Sequence, residues 1–214
     1  MAKIGIIGSG NVGGTLGRRW AAGGHWVRFG SRNPESEEMR RLVAEAGGMS
    51  AAATTAEVVG ASEILLLATP WSATEPIVRG AAAGGALTGK ILIDAVNPLA
   101  ADLKGLEVGR DQSGAELVAS WAPGARVVKC FNTVGYNIMA NPVFGGSGAT
   151  MFYCGDDSAA KDTVQQLATE LGFEAVDAGP LRQARLLEPF ALLWISLAFT
   201  PGMGREIGFR LMRR

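Results

Sequence analysis

Hydrophobic positions along the chain follow two rhythms in turn. Short continuous apolar runs occupy Lys3–Ile7, Trp26–Gly30 and residues 63–68, 90–94 and 126–130. Runs of that length, rich in β-branched residues and closed by a turn residue, predict strands buried on both faces. Between them the apolar residues recur every three or four positions, as on one face of a helix. Val12, Leu16 and Trp20 mark such a face over residues 11–23, and Gly23-Gly24 ends it. Asn33-Pro34-Glu35 predicts a second helix with Asn33 as its cap, and Met39, Leu42, Val43 and Ala46 form its inner face. A weaker strand is expected at Ser50–Ala53. Two more are expected at residues 150–154 and 173–177, around a helix over residues 158–171.

Strands that alternate with helices predict an α/β fold with a doubly wound, mostly parallel sheet and right-handed crossovers. Beyond Pro180 the pattern becomes purely helical. Residues 1–180 are therefore expected to form the sheet domain and residues 181–214 a small helical C-terminal part. Leu186, Leu187, Phe190, Leu193, Trp194 and Leu197 run round most of one helix, so it must be buried against the sheet or a second subunit. Pro201-Gly202-Met203-Gly204 is expected to break it before a last helical segment. There is no internal repeat.

Composition narrows the class. The chain carries 30 glycines in 214 residues, about twice the usual ~7%, with no collagen-like period, so they serve turns and close backbone approaches. Twenty Lys+Arg balance 20 Asp+Glu, which argues against a nucleic-acid partner. Cys130 and Cys154 are too few for a disulfide framework or a zinc site and lie in apolar runs, so both are expected as buried thiols. The longest apolar stretch, residues 189–204, is interrupted by proline and glycine and falls short of the ~20 residues a membrane span needs. With a strand opening directly at Lys3, the expectation is a cytoplasmic protein with no membrane partner.

The chemistry starts at Gly8-Ser9-Gly10-Asn11-Val12-Gly13, between the first strand and the first helix. In that place the spacing G-x-G-x-x-G predicts a pyrophosphate cradle. Gly8 permits the turn, Gly10 admits the phosphates, and Gly13 lets helix and strand pack closely. The free amides and dipole at the helix start favour the anion. The second strand then selects the dinucleotide. An NAD site usually ends that strand with Asp or Glu; here Ser31-Arg32-Asn33 follow Gly30. A hydroxyl and a guanidinium suit a ribose 2′-phosphate, which predicts NADP(H), in a field weakened by Glu35, Glu37 and Glu38.

Three more strand-end loops face the same crevice. They offer Thr69, Pro70 and Trp71, then Asn97, then Asn132 and Thr133, as groups for ribose, carboxamide and a flat wall. No catalytic acid or base stands out. His25 sits at the wrong end of its strand, Lys129 lies inside one, and Asp94 ends one. Hydride exchange between nicotinamide and a flavin-like ring needs no protein acid, so the gap favours a second redox cofactor as the small-molecule acceptor.

With these motifs assembled, the chain resembles the F420-dependent NADP oxidoreductase family. The resemblance runs through Gly8–Gly13, Gly30-Ser31-Arg32, Pro70-Trp71, Ser113 with Ala115-Glu116, Gly155-Asp156-Asp157, Asp177–Leu181, Arg185-Leu186 and Gly202-Met203-Gly204. It implies a Rossmann-type domain with a small helical C-terminal part, a homodimer, and reversible hydride transfer between NADP(H) and the deazaflavin F420. The fold is also similar to the cytosolic domain of the STEAP metalloreductases, which pass electrons from NADPH to a flavin. Two segments depart from the F420-using pattern: Pro34-Glu35-Ser36-Glu37 stands where a basic residue is usual, and Phe131-Asn132-Thr133-Val134-Gly135 where His-Thr-Ile-Pro is usual. An NADPH reductase of an imine, ketone or quinone, drawing a proton from Tyr136 or Asp94, is the second expectation. A non-catalytic NADP(H) sensor is the third.

Overall fold

The apolar runs become strands whose alternate side chains feed two separate cores. Ile4, Ile6, Phe29, Leu66, Ile93 and Val128 meet Leu16, Trp20, Val164 and Leu167 on one face of the sheet. Ile7, Leu65, Leu67, Leu92 and Val127 meet Val58, Val78, Val118 and Leu187 on the other. Burial on both faces is why these strands read as continuous apolar runs rather than alternating ones.

The computed structural model describes residues 1–214. In chain order the elements are β1 (Lys3–Ile7), α1 (Asn11–Ala22), β2 (Trp26–Gly30), α2 (Glu37–Ala46), β3 (Ser50–Ala53), α3 (Thr55–Ala61), β4 (Ile64–Leu67) and α4 (Trp71–Ala82). There follow β5 (Ile91–Asp94), α5 (Gly114–Trp121), β6 (Arg126–Lys129), α6 (Tyr136–Ala140), β7 (Val143–Phe144), β8 (Ser147–Gly148), β9 (Thr150–Gly155), α7 (Ser158–Glu170), β10 (Glu174–Asp177) and α8 (Ala184–Ala198). The main sheet has the order β3-β2-β1-β4-β5-β6-β9-β10, and β7-β8 is a separate hairpin. All pairings in the main sheet are parallel except β6 with β9. The doubly wound, mostly parallel α/β fold expected from the sequence is therefore the fold observed. Strand order reverses between β1 and β4, so a crevice opens beyond their carboxyl ends.

Two expectations fail locally. Asn33 does not cap α2. Ser36 does, its Oγ accepting the Met39 amide at 3.3 Å, while Asn33 stays in the turn with its own amide on Ser31 Oγ at 3.1 Å. No helix follows Gly204 either. Gly202 and Gly204 take positive φ (82° and 72°), and the rest of the tail has no regular secondary structure. Its Phe209 carbonyl accepts the Thr150 amide at 2.8 Å, and its Ile207 carbonyl accepts Trp194 Nε1–H at 2.8 Å. The tail's spaced arginines give it no apolar helical face, so strand-like bonding at β9 is the better use of its backbone.

Helix α8 is two-sided rather than wholly buried. Ala184, Leu187, Glu188, Ala191, Trp194 and Ala198 face inward. Leu186, Pro189, Leu193 and Ser196, at spacings of three and four, face outward. Leu186 and Leu193 are 66% and 48% exposed. Helices α3 and α5 were not marked by apolar rhythm, yet each carries a reciprocal cap: Thr54 with Glu57, and Ser113 with Glu116.

Candidate functional site

The crevice has a floor made of backbone at one end and a wall made of side chains at the other. At the first end, Gly8 takes φ +98°, and a Cβ there would lie 2.5 Å from the Ala68 carbonyl oxygen. At Gly13 a Cβ would lie 2.0 Å from the Gly8 carbonyl oxygen. Both positions exclude a side chain on packing grounds alone. Gly10 is different: a Cβ there would meet nothing within 4 Å. Protein packing does not require that glycine, but an incoming ligand would. Helix α1 has no side-chain cap and no acid in its first turn. Its Asn11, Val12 and Gly13 amides precede the first helical bond, Gly14 N–H to Gly10 O at 2.7 Å, so the positive end of the helix opens on the crevice. Ser9 is held by its hydroxyl on Met39 Sδ at 3.5 Å. Ser9, Gly10 and Asn11 edge a hollow of about 160 Å³ against α2.

At the end of β2, Ser31 anchors its amide on the Ala53 carbonyl at 3.0 Å. Its Oγ accepts from Asn33, so the hydroxyl proton is free to donate. Arg32 is exposed and has no carboxylate partner. Of the acids close to it in sequence, Glu35 is answered by Arg40 at 3.5 Å. This leaves Arg32 available to an anion.

At the second end, a cavity of about 370 Å³ is lined by Val12, Thr69, Pro70, Trp71, Asn97 and Leu103, among mostly apolar neighbours. Trp71 leans on Trp121 with ring centroids 5.6 Å apart. Thr69 bonds Thr74 at 2.9 Å between hydroxyls, and Thr74 donates to the Pro70 carbonyl at 3.0 Å, fixing the wall. The structure thus brings Val12, Thr69, Pro70, Trp71 and Asn97 together. Asn132 stands one layer behind. Its Nδ2 donates to Asn97 Oδ1 at 3.0 Å and to the Leu187 carbonyl at 3.1 Å, and its own carbonyl accepts Asn97 Nδ2 at 2.9 Å. Thr133 is buried, with its hydroxyl on Met151 Sδ at 3.8 Å, and does not line the cavity. The loop turns through Phe131 at φ +60°, a conformation that costs a non-glycine residue on the order of 1–3 kcal/mol. Packing of Phe131 against Trp20 and Phe173 (centroids 5.6 and 6.3 Å) holds it there.

Beneath this wall lies a cluster that the sequence did not announce. Lys129 Nζ is 3.0 Å from Asp94 Oδ2 and 2.8 Å from Glu188 Oε1, with all three side chains buried. It also donates to the Val96 carbonyl. Burial alone would pull the Lys129 pKa down, but the two carboxylates outweigh it and the pKa is raised. Its proton stays. Asp94, expected as a possible donor to substrate, is committed to Lys129 and to the Val96 amide at 2.9 Å. Tyr136 lies outside the cavity lining, in a cation–π contact with Arg205 at 5.0 Å. The signal for the cluster was one lysine in an apolar strand and one glutamate in the most apolar helix. Buried opposite charges must find each other, but 59 residues (188 − 129) separate them.

Above the cluster, Arg185 grips Glu116 through two bonds of 2.9 and 2.7 Å. That grip, against the opposing effect of partial burial, brings the Glu116 carboxyl down to about 2, with help from Ser113. His25 is a staple at the far end of the sheet. Its Nδ1 accepts the Ala2 amide at 3.1 Å and its Nε2 bonds Glu170 at 2.8 Å. Cys130 and Cys154 are free and buried. Burial raises both thiols, Cys154 to about 12.

The crevice fits a dinucleotide on two counts. Gly10 leaves open the space that a Cβ would fill. Arg32 is uncommitted. Comparisons with known proteins agree. A family profile described as "NADP oxidoreductase coenzyme F420-dependent" matches residues 3–98. An F420-dependent NADP reductase of Methanothermobacter marburgensis is 31% identical over 208 residues, covering 91% of this chain and 92% of that one. The metalloreductase STEAP3 of Rattus norvegicus is 32% identical over 191 residues, 89% of this chain, but the chain spans only 36% of that protein's length. Among solved structures, a provisional F420-dependent NADP reductase of Arthrobacter sp. FB24 superposes with a TM-score of 0.89 at 30% identity, with both chains fully covered.

Proposed function

This chain belongs to the F420-dependent NADP reductase family, and from that premise we propose that it exchanges hydride between NADP(H) and a deazaflavin or flavin-like acceptor. Bound NADPH supplies the hydride; the chain's residues bind, orient and exclude water. The α1 amides and Gly10 would receive the pyrophosphate, and Ser31 and Arg32 the ribose 2′-phosphate. Thr69, Pro70, Trp71 and Asn97 would wall the nicotinamide, with Asn132 behind.

The observation that carries the acceptor class is the cavity wall. It is largely apolar, flat at Pro70 and Trp71, and its one titratable side chain is Glu107, exposed at the mouth. Two redox rings laid face to face need such a slot and no protein acid. A small imine or ketone needs a positioned proton donor, and Glu107 is the only one it would find there. The test is a spectrophotometric panel of NADPH with F420, FMN, a quinone and a cyclic imine. Reduction of F420 or FMN, unchanged in Glu107→Gln, is the expected result. Turnover of the imine alone, abolished in Glu107→Gln, would overturn it.

We read the outer row of α8 as the contact with a second copy. Leu186 and Leu193 on α8 and Phe199 just beyond its end are 66%, 48% and 67% exposed, and apolar surface of this kind is rarely left bare. Residues 181–214 then act as a C-terminal part, helical through α8 with its tail folded back on β9, added to a dinucleotide-binding unit over residues 1–180. No helix is long and apolar enough to cross a membrane, and the free thiols suit a reducing cytoplasm.

A further inference from the structure

We propose that Lys129 is a positioning residue for the nicotinamide end of the crevice: held by Asp94 and Glu188, it fixes the Val96–Asn97 peptide and so the Asn97–Asn132 pair at the wall. The inference rests on the reading of the crevice as an NADP(H) site and adds a function for a cluster that touches no ligand itself.

The connectivity is closed. Val96 has both backbone polar groups clamped by the cluster: its amide by Asp94 Oδ1 at 2.9 Å, its carbonyl by Lys129 Nζ. The next residue is Asn97, which lines the cavity and exchanges two bonds with Asn132. Asn132 in turn is tied to the carbonyl of Leu187, the neighbour of Glu188. Lys129 thus joins the ends of β5 and β6 to α8 at a single nitrogen. All three ammonium protons are spent, on Asp94, Glu188 and Val96, and Lys129 does not line the cavity, so it acts through its neighbours.

The charges do not balance by pairing alone, since one cation faces two carboxylates. Glu188 meets the excess by accepting the Gly114 and Ala115 amides at 2.8 and 3.1 Å, the positive end of α5. Buried ion networks of this kind are a poor source of stability, and uncharged replacements of similar size are often neutral or better. What the cluster gives that an apolar core would not is a fixed geometry for one peptide. A misplacement of ~1 Å at a reacting centre can cost about 100-fold in rate.

The experiment compares the unmutated chain with Glu188→Gln and with the triple variant Asp94→Asn/Lys129→Met/Glu188→Gln. In the single variant the amide sets donor against donor at one of its contacts. The triple variant removes all three buried charges, so none is left unpaired, and is expected to fold where the single does not. The readouts are NADPH affinity, the fluorescence lifetime of the bound nicotinamide, and transfer from NADPH deuterated at one or the other C4 position. The folded variants should bind NADPH within about threefold of the unmutated chain (under ~0.7 kcal/mol), because the phosphate grips are intact. Their nicotinamide lifetime should shorten, the choice between the two C4 hydrogens should lose strictness, and kcat should fall about 100-fold. An unchanged lifetime, strict transfer and unchanged kcat in a folded variant would overturn the proposal. On the unmutated chain, NADPH should shift the Val96, Asn97 and Asn132 amide resonances; no shift there despite binding would also overturn it. Failure of the unmutated chain to bind NADPH would instead bring down the parent reading.

Discussion

The two ends of the crevice are built by different means. The end proposed for the pyrophosphate is made of backbone from a single stretch of chain, Gly8 to Gly13, with Ser31 and Arg32 one strand away. The end proposed for the nicotinamide is made mostly of side chains from the loops after β4 and β5 and the start of α4, backed by Asn132 and by a buried lysine and two carboxylates that tie β5 and β6 to α8. A backbone site asks only that no side chain intrude and that the helix dipole point the right way. A side-chain site asks that several distant residues be satisfied together, and its errors are costly because unpaired buried polar groups are expensive. The first kind tolerates change at its borders; the second couples to the core.

That contrast can be broken at several points. The largest effect is expected at Gly13→Ala, where the new Cβ would press on the Gly8 carbonyl at 2.0 Å. Loss of about 3 kcal/mol or more of folding free energy is expected, read from the urea midpoint, with binding lost alongside. Gly10→Ala should do the reverse. Its Cβ meets no protein atom within 4 Å, so stability should move by less than about 0.5 kcal/mol. NADPH affinity should drop at least about tenfold, ~1.4 kcal/mol, by calorimetry. Equal behaviour of the two variants would erase the distinction between packing glycines and ligand glycines.

The outer face of α8 should be separable from both ends. Leu193→Glu is expected to give a monomer by light scattering with NADPH affinity unchanged; a parent chain already monomeric would remove the dimer reading. The smallest effect belongs to Glu116, whose folded pKa lies at about 2 against an ordinary 4.5. A depressed carboxyl stabilises the fold above 4.5 and ceases to do so as pH falls through about 2. Glu116→Gln should therefore flatten the fall of Tm with acid over that window. A slope identical to the parent's would mean that Arg185 does not hold Glu116 as drawn.

Most of the sheet was legible because burial on both faces writes a strand as an unbroken apolar run, as at residues 64–67 and 91–94. The glycine turn was legible because it is local. Helices α3 and α5 went unread because their faces are short, although Thr54…Glu57 and Ser113…Glu116 spell their caps. Asn33 lost the α2 cap to Ser36, three residues on, because Asn-Pro reads equally as a turn. The carboxylate at Glu188 was lost among apolar neighbours, and only the fold brings it to Lys129. Thr133 was grouped with Asn132 by adjacency, but the loop after β6 turns it toward Met151 instead.

Arg32, the uncommitted cation beyond β2, is what should set the preference between the two dinucleotides. Titration of the chain and of Arg32→Ala with NADPH and with NADH by calorimetry addresses it directly. A charge-assisted contact to phosphate is worth roughly 1.5–3 kcal/mol, so the parent should prefer NADPH by about ten- to a hundredfold. Arg32→Ala should lose that preference with NADH binding unchanged. Equal binding of both dinucleotides by the parent, or binding of neither, would contradict the account.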